Sequence, residues 1–99
     1  MSKLQLTLKK KWFDMIASNE KKEEYREIKP YWEKRLLFKD KFELVVFRNG
    51  YGKNAPRLVI ECKGITKGSA RPEWSDNWQG EVFIIKLGKI YQLDNYDQI

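Results

Sequence analysis

Histidine is absent from the 99 residues. That single absence removes Ser-His-Asp and Cys-His nucleophilic systems, imidazole acid–base catalysis and histidine metal sites together. Catalysis, if any, must run on carboxylates, lysine, hydroxyls or backbone donors, and no metal or cofactor is expected. Cysteine is nearly absent too. Cys62 stands alone, which excludes an intrachain disulfide and a cysteine-based zinc site and fits a reduced, cytoplasmic setting. No apolar run approaches the roughly 18 to 20 residues of a membrane span. Met1-Ser2-Lys3-Leu4-Gln5 lacks the apolar region of a signal peptide. There is no internal repeat, low-complexity tract or break in composition.

What remains is the composition of one globular domain, 41% apolar, with Trp12, Trp32, Trp74 and Trp78 as its largest side chains. Twenty Lys and Arg face fourteen Asp and Glu, a formal charge of +6. The excess is uneven: residues 1–41 carry twelve basic and seven acidic side chains, residues 42–99 eight and seven. A positive face favours phosphate-bearing partners and faster encounters with them, although a merely solvated surface has the same composition.

Leu4, Leu6 and Leu8 alternate with polar residues, so residues 3–8 read as a half-buried strand. Trp12, Phe13, Met15 and Ile16 then set a helical stripe over residues 9–18, with Asn19 suited to the left-handed residue that closes it. A charged strand follows at 21–28, anchored by Tyr25. Pro30 opens a second short helix over 30–37. Phe42 to Phe47 reads as an apolar strand, Asn49-Gly50 as a hairpin cue, and Arg57 to Thr66 as the returning strand. Residues 67–80 read as a loop, Val82 to Leu87 as a last strand, and residues 93–99 as a C-terminal tail after a single domain at 1–92. The economical architecture is a small, mostly antiparallel barrel with appended helices.

The segment richest in chemistry is Asn19-Glu20-Lys21-Lys22-Glu23-Glu24-Tyr25-Arg26. On a strand, Glu24 and Arg26 point to the same face, and Lys21 at the mouth of the turn can reach over it. Such a convergence suits a polar small-molecule or nucleotide pocket. It equally suits a surface ion-pair ladder.

The order strand, helix, turn, Lys-x-x-Glu-x-Arg, short helix and barrel strands resembles the ASCH domain, a branch of the PUA-like superfamily. Its hallmark is Gly-x-Lys-x-x-Glu-x-Arg after the first helix, here with Asn19 in the glycine position. The run Glu27-Ile28-Lys29-Pro30-Tyr31-Trp32 is similar to small phage-associated and bacterial members. The resemblance implies an α+β, mostly β fold: a PUA-like small antiparallel or mixed β-barrel with two short helices near the N-terminus. It also implies a cleft for RNA, a nucleotide or a modified nucleoside. Some members are amidohydrolases that remove the acetyl group of acetylcytidine with a lysine, a threonine and a glutamate. Lys21 matches that lysine, Glu24 stands in the threonine position, and Glu73 matches the glutamate by approximate position.

Three functions follow as expectations. The first is an RNA- or nucleotide-binding module whose contacts come from Lys9, Lys10, Lys21, Lys22, Arg26, Arg48, Lys53 and Trp78. The second is an amidohydrolase for an acylated nucleoside, with Lys21, Glu24 and Glu73 as its catalytic residues. The third is a phage protein that binds a host protein. Lys9-Lys10-Lys11 opens a helix where positive charge opposes the macrodipole, a cost that folding alone does not explain. Trp12 and Trp32 lie on helical apolar faces and read as core. Trp74 reads as a plug for the barrel end.

Overall fold

The computed structural model describes residues 2–37 and 42–96. Strand β1 (Lys3–Thr7) buries Leu4 and Leu6 and exposes the residues between them, as a period of two requires. Helix α1 (Lys10–Ala17) buries Trp12, Phe13 and Ile16 on one stripe. Strand β2 (Glu23–Glu27) and helix α2 (Pro30–Leu37) follow, with Leu36 the buried residue of α2. Strands β3 (Leu44–Arg48), β4 (Arg57–Ser69) and β5 (Glu81–Asp94) complete the chain, with a 3-10 turn at Pro72–Trp74 between the last two.

The result is a mixed α+β fold, mostly β: a curled five-stranded half-barrel with two short helices near its N-terminus. Strand order is β1-β3-β4-β5-β2; β1 runs parallel to β3, and every other pairing is antiparallel. The two edge strands are therefore β1 and β2, and no ladder joins them. Into the concave side project Leu4, Leu6, Phe47, Leu58, Phe83 and Ile85, covered by Phe13 and Ile16 of α1. A smaller cluster of Tyr25, Val82 and Ile84 lies on the other face of β2 and β5, under Trp74 and Trp78.

Two lengths differ from the sequence reading. β4 continues through Lys67, Gly68 and Ser69, and β5 runs on to Asp94. Their pairing shifts register between Val59 and Gly64, which interrupts the alternation of apolar residues and bends the hairpin. Gly88 lies at this bend with the Glu61 carboxylate packed over its Cα. That carboxylate accepts the Lys89 N–H at 3.1 Å. The expected tail divides accordingly. Leu93 and Asp94 belong to β5, Tyr96 packs on Phe13 and donates to Asp14 at 3.0 Å, and residues 97–99 lie outside the described residues.

Candidate functional site

The site begins at the end of α1. Asn19 adopts φ 68°, its N–H donates to Ile16 O, and the Glu20 N–H donates to Met15 O. This is the reciprocal pattern of a Schellman cap, for which Asn is the best residue after Gly. The Lys21 N–H also donates to Met15 O, at 2.9 Å. The cap thus reverses the chain within one turn and sends the Lys21 side chain inward rather than over the surface.

Lys21 is 1% exposed. Its ammonium donates to Glu23 O at 2.5 Å and pairs with Glu24 Oε1 at 3.1 Å. The Tyr25 and Trp12 rings flank it, with centroids at 4.7 and 5.3 Å. Burial pushes the lysine below its ordinary value of 10.5, and Glu24 opposes the shift by attraction and hydrogen bonding. The other Glu24 oxygen accepts from Arg26 Nη1, as strand parity anticipates. Two cations therefore share one carboxylate, and the triad keeps a charge of +1. Tyr25 completes the local order: its hydroxyl donates to Glu23 Oε1 at 2.7 Å and accepts the Arg71 N–H at 3.2 Å. Burial raises its pKa.

Arg26 also spans the gap between the edge strands. Nη1 donates to Tyr25 O at 2.8 Å, and Nη2 reaches across to Thr7 O at 3.3 Å. Arg35 of α2 reaches the β1 edge one pleat along, donating to Gln5 O at 3.2 Å. Both guanidiniums lie near the Trp32 ring, 5.2 and 5.6 Å from its centroid. Where β1 and β2 lack a ladder, two arginines and one tryptophan bridge the seam.

Above this seam lies an open cleft of about 610 Å³. Its walls include both edge strands, α2 and the 70–80 loop. All four tryptophans line it, together with Tyr25, Tyr31 and Tyr51. Trp12 and Trp32, read as core from their helical stripes, are thus cleft walls as well as packing residues. Trp74 lies beside Trp78 against the smaller cluster, where both also face the cleft.

No family model, curated protein or solved structure matches this chain.

The expected site residues separate into groups. Glu24, Arg26, Lys9 and Trp78 line the cleft, and Lys9 reaches Asp76 across its mouth at 3.7 Å. Lys21 lies beneath, supporting Glu24 rather than touching the open volume. Lys10 pairs with Asp14 at 2.7 Å on the outer side of α1, which offsets part of the macrodipole cost. Lys22 and Lys53 are exposed and do not line the cleft. Arg48 donates to Gly52 O at 2.7 Å and braces the 49–56 turn. Glu73 is paired with Arg71 at 3.5 Å, and it too does not line the cleft. Among the described residues no carboxylate or thiol cluster converges as a metal site. The sequence reading gave no binding role to Arg35, to Tyr31, which it placed on the packing face of the second helix, or to Tyr51, which it placed in the turn. Arg35 stands three residues after Trp32 and four after Tyr31, and that spacing was the available signal that it shares a helix face with both.

Proposed function

We propose that this chain is an ASCH-type module binding RNA, a nucleotide or a modified nucleoside in the cleft over the β1–β2 seam. One observation carries the reading: the four tryptophans and the two seam arginines all meet in a single cleft. Bases stack on such rings for roughly 1–3 kcal/mol each, and cations beside them hold phosphate. The order of elements and the Lys21, Glu24 and Arg26 motif add the family resemblance. Because tryptophan lines the cleft, intrinsic fluorescence is the direct probe. Titration with an oligoribonucleotide should quench it at low salt, and the apparent affinity should fall as salt rises. Unchanged fluorescence with RNA, nucleotides and nucleosides alike at low salt sinks the proposal.

Hydrolysis of an acylated nucleoside is the second reading, favoured by a cleft carboxylate, Glu24, backed by a lysine of lowered pKa. Against it, both Glu24 oxygens are already held, one by Lys21 and one by Arg26. That arrangement serves positioning better than proton transfer. Incubation with acetylcytidine should release cytidine and acetate if the reading holds, and Glu24→Gln should stop it. Undiminished turnover in that variant excludes Glu24 as the base.

A further inference from the structure

The polar groups of the two edge strands are not equally occupied. The Leu8 N–H donates to Arg48 O on β3, and the Ser2 carbonyl accepts from Leu44. By alternation, the even residues of β1 face β3, and both the N–H and C=O of Gln5 and Thr7 face the seam. On β2 the Lys22 carbonyl accepts from Leu87 of β5, so there the odd residues, Glu23 and Tyr25, face the seam. Four seam-facing carbonyls are covered by cations. Arg35 holds Gln5 O, Arg26 holds both Thr7 O and Tyr25 O, and Lys21 holds Glu23 O. The matching N–H groups of Gln5 and Thr7 have no such partner among the described residues, since β1 pairs only with β3.

An edge of this kind rejects an added peptide strand. Strand addition needs carbonyl acceptors as well as N–H donors, and along the middle of the seam the acceptors of Gln5, Thr7, Glu23 and Tyr25 are taken. What it offers is donors alone, beside guanidiniums, over a triad of net charge +1. Gln5 and Thr7 N–H groups lie roughly 7 Å apart along the strand, too far to grip one phosphate together. Each is instead beside the arginine that holds its own carbonyl: Gln5 beside Arg35, Thr7 beside Arg26. Among the described residues Glu27 is the one cleft carboxylate without a cation in contact, and it is exposed at the end of β2.

We infer that the free edge of β1 is a phosphate-reading edge, in which the Gln5 and Thr7 N–H groups act with Arg35 and Arg26 on phosphate oxygens. This rests on the binding reading above and locates the phosphate in the seam rather than on the outer lysines Lys10, Lys22 and Lys53. The ligand class is a phosphorylated nucleotide or a short RNA, not a nucleoside.

The test follows backbone amides by nuclear magnetic resonance while uridine, uridine 5′-monophosphate and a short oligouridylate are added separately to the intact protein. The phosphorylated probes should bind at least about tenfold tighter than uridine, as charge-assisted hydrogen bonds imply. The Gln5 and Thr7 amide protons should move downfield with them and not with uridine. A response to the oligomer alone assigns the phosphate to RNA, and a response to the monophosphate assigns it to free nucleotide as well. Gln5→Pro and Thr7→Pro each delete one seam N–H without removing a ladder bond, a place where an edge strand tolerates proline. Each should lose most of the phosphate preference while keeping uridine affinity. Binding of both phosphorylated probes no tighter than that of uridine overturns the inference and leaves the binding reading standing. So does unmoved Gln5 and Thr7 amides in the wild-type protein, a measurement independent of how the proline variants fold. Failure of all three probes to bind overturns both.

Discussion

On the closed side of the half-barrel, Phe13, Phe47 and Phe83 are almost wholly inaccessible and pack against leucine, isoleucine and valine. Along the seam the large side chains are tryptophan and tyrosine instead, interleaved with Arg26 and Arg35. The two regions differ in what the backbone leaves undone. Where β3, β4 and β5 pair, the backbone groups outside the register shifts at 59–64 are held in the ladders and purely apolar side chains suffice. Where β1 and β2 face each other unpaired, the edge carbonyls need donors, and amphipathic rings with cations beside them supply both cover and hydrogen bonds. A gap in the sheet thus creates a surface that is polar, aromatic and positively charged. Such a surface suits a ligand with a flat ring and an oxyanion.

The largest effect that separates the two regions should come from Glu24. Its removal in Glu24→Ala leaves the Lys21 ammonium buried with only a carbonyl to hold it, at a cost of about 3–5 kcal/mol in urea unfolding. Lys21→Met should cost below about 1.5 kcal/mol, because Glu24 keeps Arg26 and the new side chain fills the same apolar space. A closed-side truncation such as Phe83→Ala shows no such asymmetry of partners; it should cost about 3–5 kcal/mol through its cavity alone. If Lys21→Met proved as damaging as Glu24→Ala, the triad would not be organised around its carboxylate.

Much of this layout was legible beforehand. The Leu4-Leu6 alternation, the α1 stripe, Asn19 at the helix end and Pro30 at the next helix start are local signals, and each element formed where its signal lay. Strand parity likewise placed Glu24 and Arg26 together. The extent of β5 was not legible, since the register shifts against β4 break the period on which strand reading depends. Nor was the burial of Lys21, whose neighbours Glu20 and Glu23 suggest an exposed residue until the Schellman turn is known to point it inward. The stripes of α1 and α2 identified Trp12 and Trp32 as covered, but a stripe does not distinguish a core from a cleft wall. Which strands are edges is a property of the whole topology, so the seam donors had no local sign at all.

A smaller effect should appear with pH. The folded-state pKa of Lys21 lies below 10.5, so between that lowered value and 10.5 the unfolded chain binds more protons than the folded one. Stability contributed through this group therefore rises with pH across that window. Tyr25 acts oppositely and higher: its raised folded pKa makes stability fall as pH climbs above its ordinary value of 10.0. Comparing unfolding midpoints of wild type and Lys21→Met from neutral pH to just under 10 isolates the lysine. The wild type should gain on the variant as pH rises, and a constant difference between them would mean that the folded-state pKa of Lys21 is not lowered into that range.

The smallest change in stability is expected at Tyr51, and it sharpens the comparison from the ligand's side. Tyr51 is 88% exposed on the turn after β3, where Gly50 takes φ 104°, yet its ring faces the cleft. An exposed aromatic adds little to folding, so Tyr51→Ala should leave the unfolding free energy within about 0.5 kcal/mol of wild type. If the cleft takes a base, the same substitution should weaken nucleotide binding by roughly 1 kcal/mol, the lower end of what a stacking ring contributes. Phe47, four residues earlier on β3, should behave in reverse, with a large loss of stability on truncation and no loss of affinity beyond the unfolded fraction. Measured together, the two residues test whether this hairpin carries a folding side chain and a binding side chain within four positions of each other. Equal affinity in wild type and Tyr51→Ala would remove the turn from the site and confine the ligand to the seam itself.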